Sequence, residues 1–520
     1  MKTFDASRRQ FLARGAALST CGAGAPLALN LAALGSAAAV SGNAAAQSAG
    51  DYKALVCVFL FGGNDAYNTV LPTDSASWLN YSAVRNQAPD PIALLAPGTP
   101  PNLAAAVATP ARLGGVLPLA PVVALPRPVA LHPLLTQLQG LFNTDRRLAV
   151  ISNIGPLVMP TTKAQLGLDS HPKPANLYSH NDQQNTWQAL APEGATRGWG
   201  GRMGDRLAAL NGLPVFTSVS AAGNAVWLAG DAVQQYQVGG NGAIRLGSDS
   251  NGKVYGSTAV AQALQRIAGT PRSAHVLEAD LAGVAQRSMA AEATLRNALR
   301  PADSAPFGTP APAGSNYSAE NDPLLRYLNP LTGNSAGNGL AQQLQVVARM
   351  IDAGRSTLGA RRQVFFVSLG GFDTHDAQNR NQADLLARLG QGLAYFDATM
   401  GALGLREQVT LFTASDFGRS FTSNGDGTDH GWGAHHVVLG GAVKGGRVYG
   451  SLPVLGAKNA NNNNFDSSPD QLGNGVLLPS TSVDQLGATL GRWFGLSDAE
   501  LADIFPNLKY FSQKNLGFMV

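Results

Sequence analysis

Residues 409–450, VTLFTASDFGRSFTSNGDGTDHGWGAHHVVLGGAVKGGRVYG, decide how this chain is read. They open on an apolar run, 409–413 (VTLFT), with the composition of a buried strand. The run ends at Ala414-Ser415-Asp416, so a carboxylate stands where the strand stops. Ligands of open α/β sheets bind outside the carboxyl ends of the strands. A Gly- and Asn-containing loop follows, then Asp429-His430, His435-His436 and a second apolar run at 437–439. His375 and these three make up half of the chain's eight histidines, and each lies near an Asp. Imidazole beside carboxylate is the donor chemistry of a divalent metal site. Taken alone, Asp416 can also be read as a helix N-cap and His435-His436 as loop residues.

The same pattern recurs outward from this stretch. Residues 53–61 (KALVCVFLF) form a nearly unbroken apolar run, as in a strand covered on both faces, and lead into Gly62-Gly63-Asn64-Asp65. Residues 363–369 (QVFFVSL) lead into Gly370-Gly371-Phe372-Asp373-Thr374-His375. Residues 148–154 (LAVISNI) read as a further core strand. Three strands thus end in Asp65, Asp373 and Asp416, and strand ends gather on one edge of a parallel sheet. With His375, Asp429 and His430 they supply enough donors for one or two divalent ions. Paired ions clamp the attacking and leaving oxygens of a displacement at phosphorus or sulfur. In residues 177–188 (LYSHNDQQNTWQ), Ser179 has the spacing of a helix N-cap with Asp182. A hydroxyl there also sits beside free N–H groups in positive potential, which makes Ser179 and His180 the candidate catalytic residues.

Composition limits the alternatives. Charged residues are 13% of the chain, against about a quarter in ordinary proteins. The net charge of +4 belongs largely to the first 46 residues, which hold Lys2, Arg8, Arg9 and Arg14 against Asp5; without them it falls to +1. No basic tract or aromatic–basic interleaving points to nucleic acid. Ser7-Arg8-Arg9-Gln10-Phe11-Leu12, a weakly apolar stretch and Ala44-Ala45-Ala46 match a twin-arginine signal peptide over 1–46. That implies engagement of the twin-arginine export machinery, a periplasmic or secreted location, and no stable membrane insertion after cleavage. Cys57 alone remains after the leader, which excludes an internal disulfide. Residues 47–520 read as a single domain, with irregular insertions at about 73–130 and 214–330; the latter carries an Ala-rich helix near 274–299 and a Pro-rich linker at 301–313.

Alternative motifs fail. The 424–435 loop has Asp429 and His435 where a calcium loop needs Gly and Glu. No G-x-S-x-G elbow supports a Ser-His-Asp triad.

FGGNDAYNTVLP (61–72), LYSHNDQQNTWQ (177–188), GWGGRM (198–203), GGFDTHDAQ (370–378), SDFGRSF (415–421) and GTDHGWG (427–433), with the Arg8-Arg9 leader, resemble the bacterial family called domain of unknown function 1501. The resemblance spans essentially the whole mature chain. It implies the α/β fold of the alkaline phosphatase and sulfatase superfamily, a mostly parallel sheet between helices. It also implies a metal edge using Asp65, Asp373, His375, Asp416, Asp429 and His430, with Ser179 near the nucleophile position. Two positions depart: Phe417 follows Asp416 where phosphatases have His, and Ser179 lies in no sulfatase cysteine motif. The expected function is hydrolysis of small-molecule or polymer phosphate or sulfate esters with Zn, Mn or Ca. The alternative is a non-catalytic, metal-binding exported protein with a binding or assembly role.

Overall fold

Along residues 54–60 the side chains alternate between two cores. Val56, Val58 and Leu60 enter one hydrophobic cluster, and Leu55, Cys57 and Phe59 the other. A strand with both faces covered needs apolar residues at every position, which explains the unbroken run. The computed structural model describes residues 51–520 except 241, 246, 247 and 250. The expected signal peptide at 1–46 lies outside the described residues.

The strand Lys53–Phe61 is central to a ten-stranded, mostly parallel sheet. Arg362–Gly370 and Val409–Ser415 flank it in parallel, with Leu60 opposite both Leu369 and Ser415. Beyond Val409–Ser415 come Ala434–Leu439 and Leu148–Gly155, both joined antiparallel, then Arg447–Tyr449. On the other side the sheet continues through Ser218–Ser220, Tyr236–Gly239 and Gly242–Ala243. Residues 214–330 therefore extend the sheet as well as carrying the helices Thr258–Gly269 and Val276–Ala298.

Helices cover both faces. Gly339–Ser356 and Gln378–Ala402 supply one core, and Trp199–Leu207 and Val483–Phe494 the other. Ser482 with Gln485 and Ser497 with Glu500 form the capping boxes of the last two α-helices. Residues 73–130, expected to be irregular, carry the helix Ser75–Arg85 and part of a three-stranded antiparallel sheet. Asp74 caps that helix by accepting from Ser77 N. No helix among the described residues is long and apolar enough to cross a membrane.

The three parallel strands end together. Ser415 Oγ donates to Leu60 O at 2.7 Å and accepts from Asn64 N at 3.0 Å, tying two of the ends. Gly62 has a φ of +111°, and a Cβ there would lie 2.3 Å from Asp373 N. Only glycine allows the first strand's turn to pass so close to the 370–378 loop.

Candidate metal centre

His180, Asp373 and His430 meet at this edge, with ligand atoms within 4.8 Å of one another, a group that could hold a metal ion. Each arrives on a different element. His180 is the first residue of the helix His180–Ala189, Asp373 lies in the turn after Arg362–Gly370, and His430 ends the strand Thr428–His430. That strand pairs with Arg419–Ser423, which follows the end of Val409–Ser415. His375 joins the edge of the group, with its Nε2 2.9 Å from His430 Nε2 and 3.1 Å from Asp373 Oδ1.

The ring nitrogens are sorted by their outer partners. His180 Nδ1 lies 2.7 Å from Asp416 Oδ2, and His430 Nδ1 lies 2.7 Å from the Tyr178 carbonyl. A carbonyl oxygen can only accept, so His430 carries its proton on Nδ1 and its Nε2 presents a lone pair. The Asp416 carboxylate selects the same tautomer in neutral His180. His180 Nε2 lies 3.4 Å from Asp373 Oδ2, and His430 Nε2 3.2 Å from Asp373 Oδ1. Acceptors therefore face acceptors, an arrangement that a shared cation relieves. His180 Nε2 is buried and has no hydrogen-bond partner, and neither has Asp416 Oδ1. Metal-binding histidines commonly donate the other ring N–H to a carboxylate or carbonyl in this way.

Charge is arranged to keep Asp373 ionised. Partial burial opposes ionisation of its carboxyl, but the hydrogen bond and charge of Arg419 outweigh it and hold Asp373 below the usual carboxylate range. Arg419 is fully buried and donates to Asp373 Oδ1 at 2.6 Å, to Gly62 O and to Thr428 O. Hydrogen bonding to Asp416 lifts the pKa of His180, while burial lowers that of His430. Gln184, one turn beyond His180, donates a second bond to Asp416 Oδ2 at 2.8 Å. Tyr178 reaches His430 from a left-handed backbone, φ +74°, a conformation that costs a non-glycine residue about 1–3 kcal/mol and is found mainly where function fixes the backbone.

The remaining candidates are placed as follows. Asp429 is half exposed, 3.4 Å from His375 Nδ1. Asp416 is fully buried and orients His180. The Ser179 hydroxyl donates to Asp182 Oδ2 at 2.8 Å and caps the helix. Asp65 lies outside the group: both its oxygens are bound by Arg85, at 2.5 and 3.0 Å, in a pair with no solvent exposure, and Gln378 adds a third bond. His435 and His436 lie in the buried strand Ala434–Leu439, not in the loop. His435 Nδ1 accepts from Asn153 N at 3.0 Å, and His436 Nδ1 lies 3.1 Å from Thr413 Oγ1. Arg419, Gln184 and the Tyr178 carbonyl were not anticipated. Arg419 had a signal, as a lone charge between the buried Phe417 and Phe421.

Residues 52–505 match the family model described as "Protein of unknown function (DUF1501)". The chain belongs to this family. No curated protein matches it. The matched span contains every member of the His–Asp group, so the candidate metal centre lies within the family domain.

Proposed function

We propose that this family member is an exported, metal-dependent hydrolase of phosphate or sulfate esters. The observation that carries the reading is the convergence of the His180 and His430 Nε2 atoms on the Asp373 carboxylate, each ring held from behind by an oxygen acceptor. The donor set fits a metal. Imidazoles with a carboxylate suit zinc, whereas calcium prefers oxygen alone and manganese an oxygen-rich shell. His180, Asp373 and His430 would hold the ion, with His375 beside them. A divalent ion there supplies Lewis acidity, polarising an ester oxygen and making water a stronger acid. Asp416 and Gln184 keep His180 in its tautomer, and Arg419 keeps Asp373 ionised. The acids at parallel strand ends support placement in the alkaline phosphatase and sulfatase superfamily. The Arg8-Arg9 leader supports twin-arginine export to the periplasm or beyond. One observation favours the non-catalytic alternative: Ser179, the candidate nucleophile, is engaged with Asp182 as a cap.

The test is elemental analysis of protein purified without added metal, followed by assay with aryl phosphates, phosphonates and sulfates under added Zn, Mn or Ca. About one zinc per chain with turnover supports the proposal. Loaded protein that hydrolyses none of the panel supports the binding role, and metal-free protein that takes up no ion refutes both. Replacing Arg8-Arg9 by Lys-Lys should hold the protein in the cytoplasm; normal export would remove the twin-arginine reading.

A further inference from the structure

Arg349 is a buried cation with no carboxylate within ion-pair distance among the described residues. It lies on the helix Gly339–Ser356 and is 6% exposed. Its Nε donates to Arg300 O at 2.8 Å, but its Nη1 is buried with no partner. Among the described residues no carboxylate pairs with it. The nearby acid Asp352 is paired with Arg300 at 3.5 Å. Leaving a charge buried and uncompensated is costly, so a partner outside the chain is the natural complement.

The guanidinium borders a pocket of about 320 Å³ lined by Gly240, Gly242, Arg245, Arg296 and Leu299 as well. Gly242 has a φ of +102°, and a Cβ there would lie 2.6 Å from Leu299 Cδ1, so this wall requires glycine. Arg245 and Arg296 share one carboxylate oxygen, Glu292 Oε1, at 3.4 and 2.9 Å. Asp249, also on the pocket wall, is engaged by the backbone amides of Asn251 and Lys253. Three arginines thus face two acids, both already engaged. Burial also pulls the Arg349 pKa down, by more than the nearby Tyr317, Tyr395 and Asp303 raise it.

We infer that this pocket binds a tetrahedral oxyanion, a phosphate or sulfate group, with Arg349 as its buried anchor. Guanidinium N–H groups match phosphate oxygens in pairs, and an ion with three or four oxygens offers an acceptor to each arginine. The site is separate from the His–Asp cluster, which uses none of these residues. Its occupant is either the free ion or the head group of a larger molecule reaching past Leu299.

The test is thermal unfolding of the purified protein against sodium phosphate and sodium sulfate at constant ionic strength, with phenylphosphonate in a parallel arm. Wild type should show a saturable rise in Tm, since a ligand that binds only the folded state stabilises it. A larger rise with phenylphosphonate supports a head group, and an equal rise supports the free ion. Arg349→Met should unfold at higher temperature than wild type without anion, because it removes an unpaired buried charge, and should lose the anion response. Arg296→Gln should fold normally and need about tenfold more anion for half the shift. His180→Ala, which disables the metal cluster, should keep the full response, so a failed hydrolase reading leaves this one standing. No rise in wild type, or a rise that survives Arg349→Met, overturns the inference.

Discussion

Acid should unfold this protein through three histidines that take no part in the metal cluster. His132, His435 and His436 are each no more than 3% exposed. Burial pushes their pKa values down to about 3, about 4 and about 3, from an ordinary 6.5. His132 and His435 accept hydrogen bonds at Nδ1, from Leu134 N and Asn153 N, so a proton there would also break a bond. The unfolded chain takes up a proton at each near pH 6.5 and the folded chain only far lower. Stability is therefore complete above pH 6.5 and falls as the pH drops toward 4, because the unfolded state binds more protons across that window. At pH 4 each site has lost roughly 3 kcal/mol, at about 1.4 kcal/mol per unit. Together that is roughly 9 kcal/mol, the size of a whole domain's stability of about 5–15 kcal/mol. Urea midpoints should be measured from pH 8 to 4 on EDTA-treated protein, so that loss of metal does not contribute. His436→Gln should recover about 3 kcal/mol of the acid-dependent part. A midpoint that stays flat from pH 7 to 4.5, or three imidazoles that titrate near pH 6 by NMR, would refute the reasoning.

Other perturbations separate structural acids from functional ones. Asp484 is 1% exposed and burial lifts its pKa to about 6, so the folded state holds the proton more tightly and stability falls as pH rises from about 4 to about 6. Asp484→Asn, which keeps an acceptor for Ser482 Oγ, should raise stability by up to about 3 kcal/mol at pH 8 and change it little at pH 4, checked by melting temperature at both. Arg85→Met should cost about 3–5 kcal/mol by leaving the Asp65 charge buried alone, read from urea midpoints. Asp65→Asn should lower the melting temperature while elemental analysis finds unchanged metal; loss of metal would return Asp65 to the ligand set. Asp416→Asn, which no longer offers His180 a carboxylate, should weaken metal binding about 10- to 100-fold in competition with a chelator.

Much of the frame was legible because burial on both faces writes itself into sequence. The runs at 53–61, 363–369 and 409–413 are apolar at nearly every position, and all three are core strands of one sheet. Local capping chemistry was equally readable, since Ser179, Ser482 and Ser497 bond within a few residues of themselves. The direction of the strand Ala434–Leu439 was not legible, because an apolar run looks the same read either way and only the antiparallel pairing with Val409–Ser415 fixes it. The histidine roles were not legible either. His430 and His435 are five residues apart beside similar loops, yet one ends a half-exposed hairpin and the other faces the interior of the main sheet. What separates them is which ring nitrogen the surroundings engage as donor and which as acceptor, a property of partners hundreds of residues away.

The three strand-end acids show how one sequence pattern yields different chemistry. Asp65, Asp373 and Asp416 all follow buried parallel strands and crowd the same sheet edge. Each is engaged by a different partner. Arg85, brought in by the helix Ser75–Arg85, takes both oxygens of Asp65 and leaves it nothing to offer a ligand. His180 and Gln184 take one oxygen of Asp416, which makes it an orienting group behind an imidazole. Arg419 binds Oδ1 of Asp373 from below and leaves Oδ2 facing His180, so only Asp373 of the three remains accessible, with 43% of its side chain exposed. The acid in the candidate metal group is thus the one whose cation is shared rather than fully committed. That sharing leaves Asp373 with an oxygen turned to a second partner, and with His180 and His430 it forms a group that could hold a metal ion.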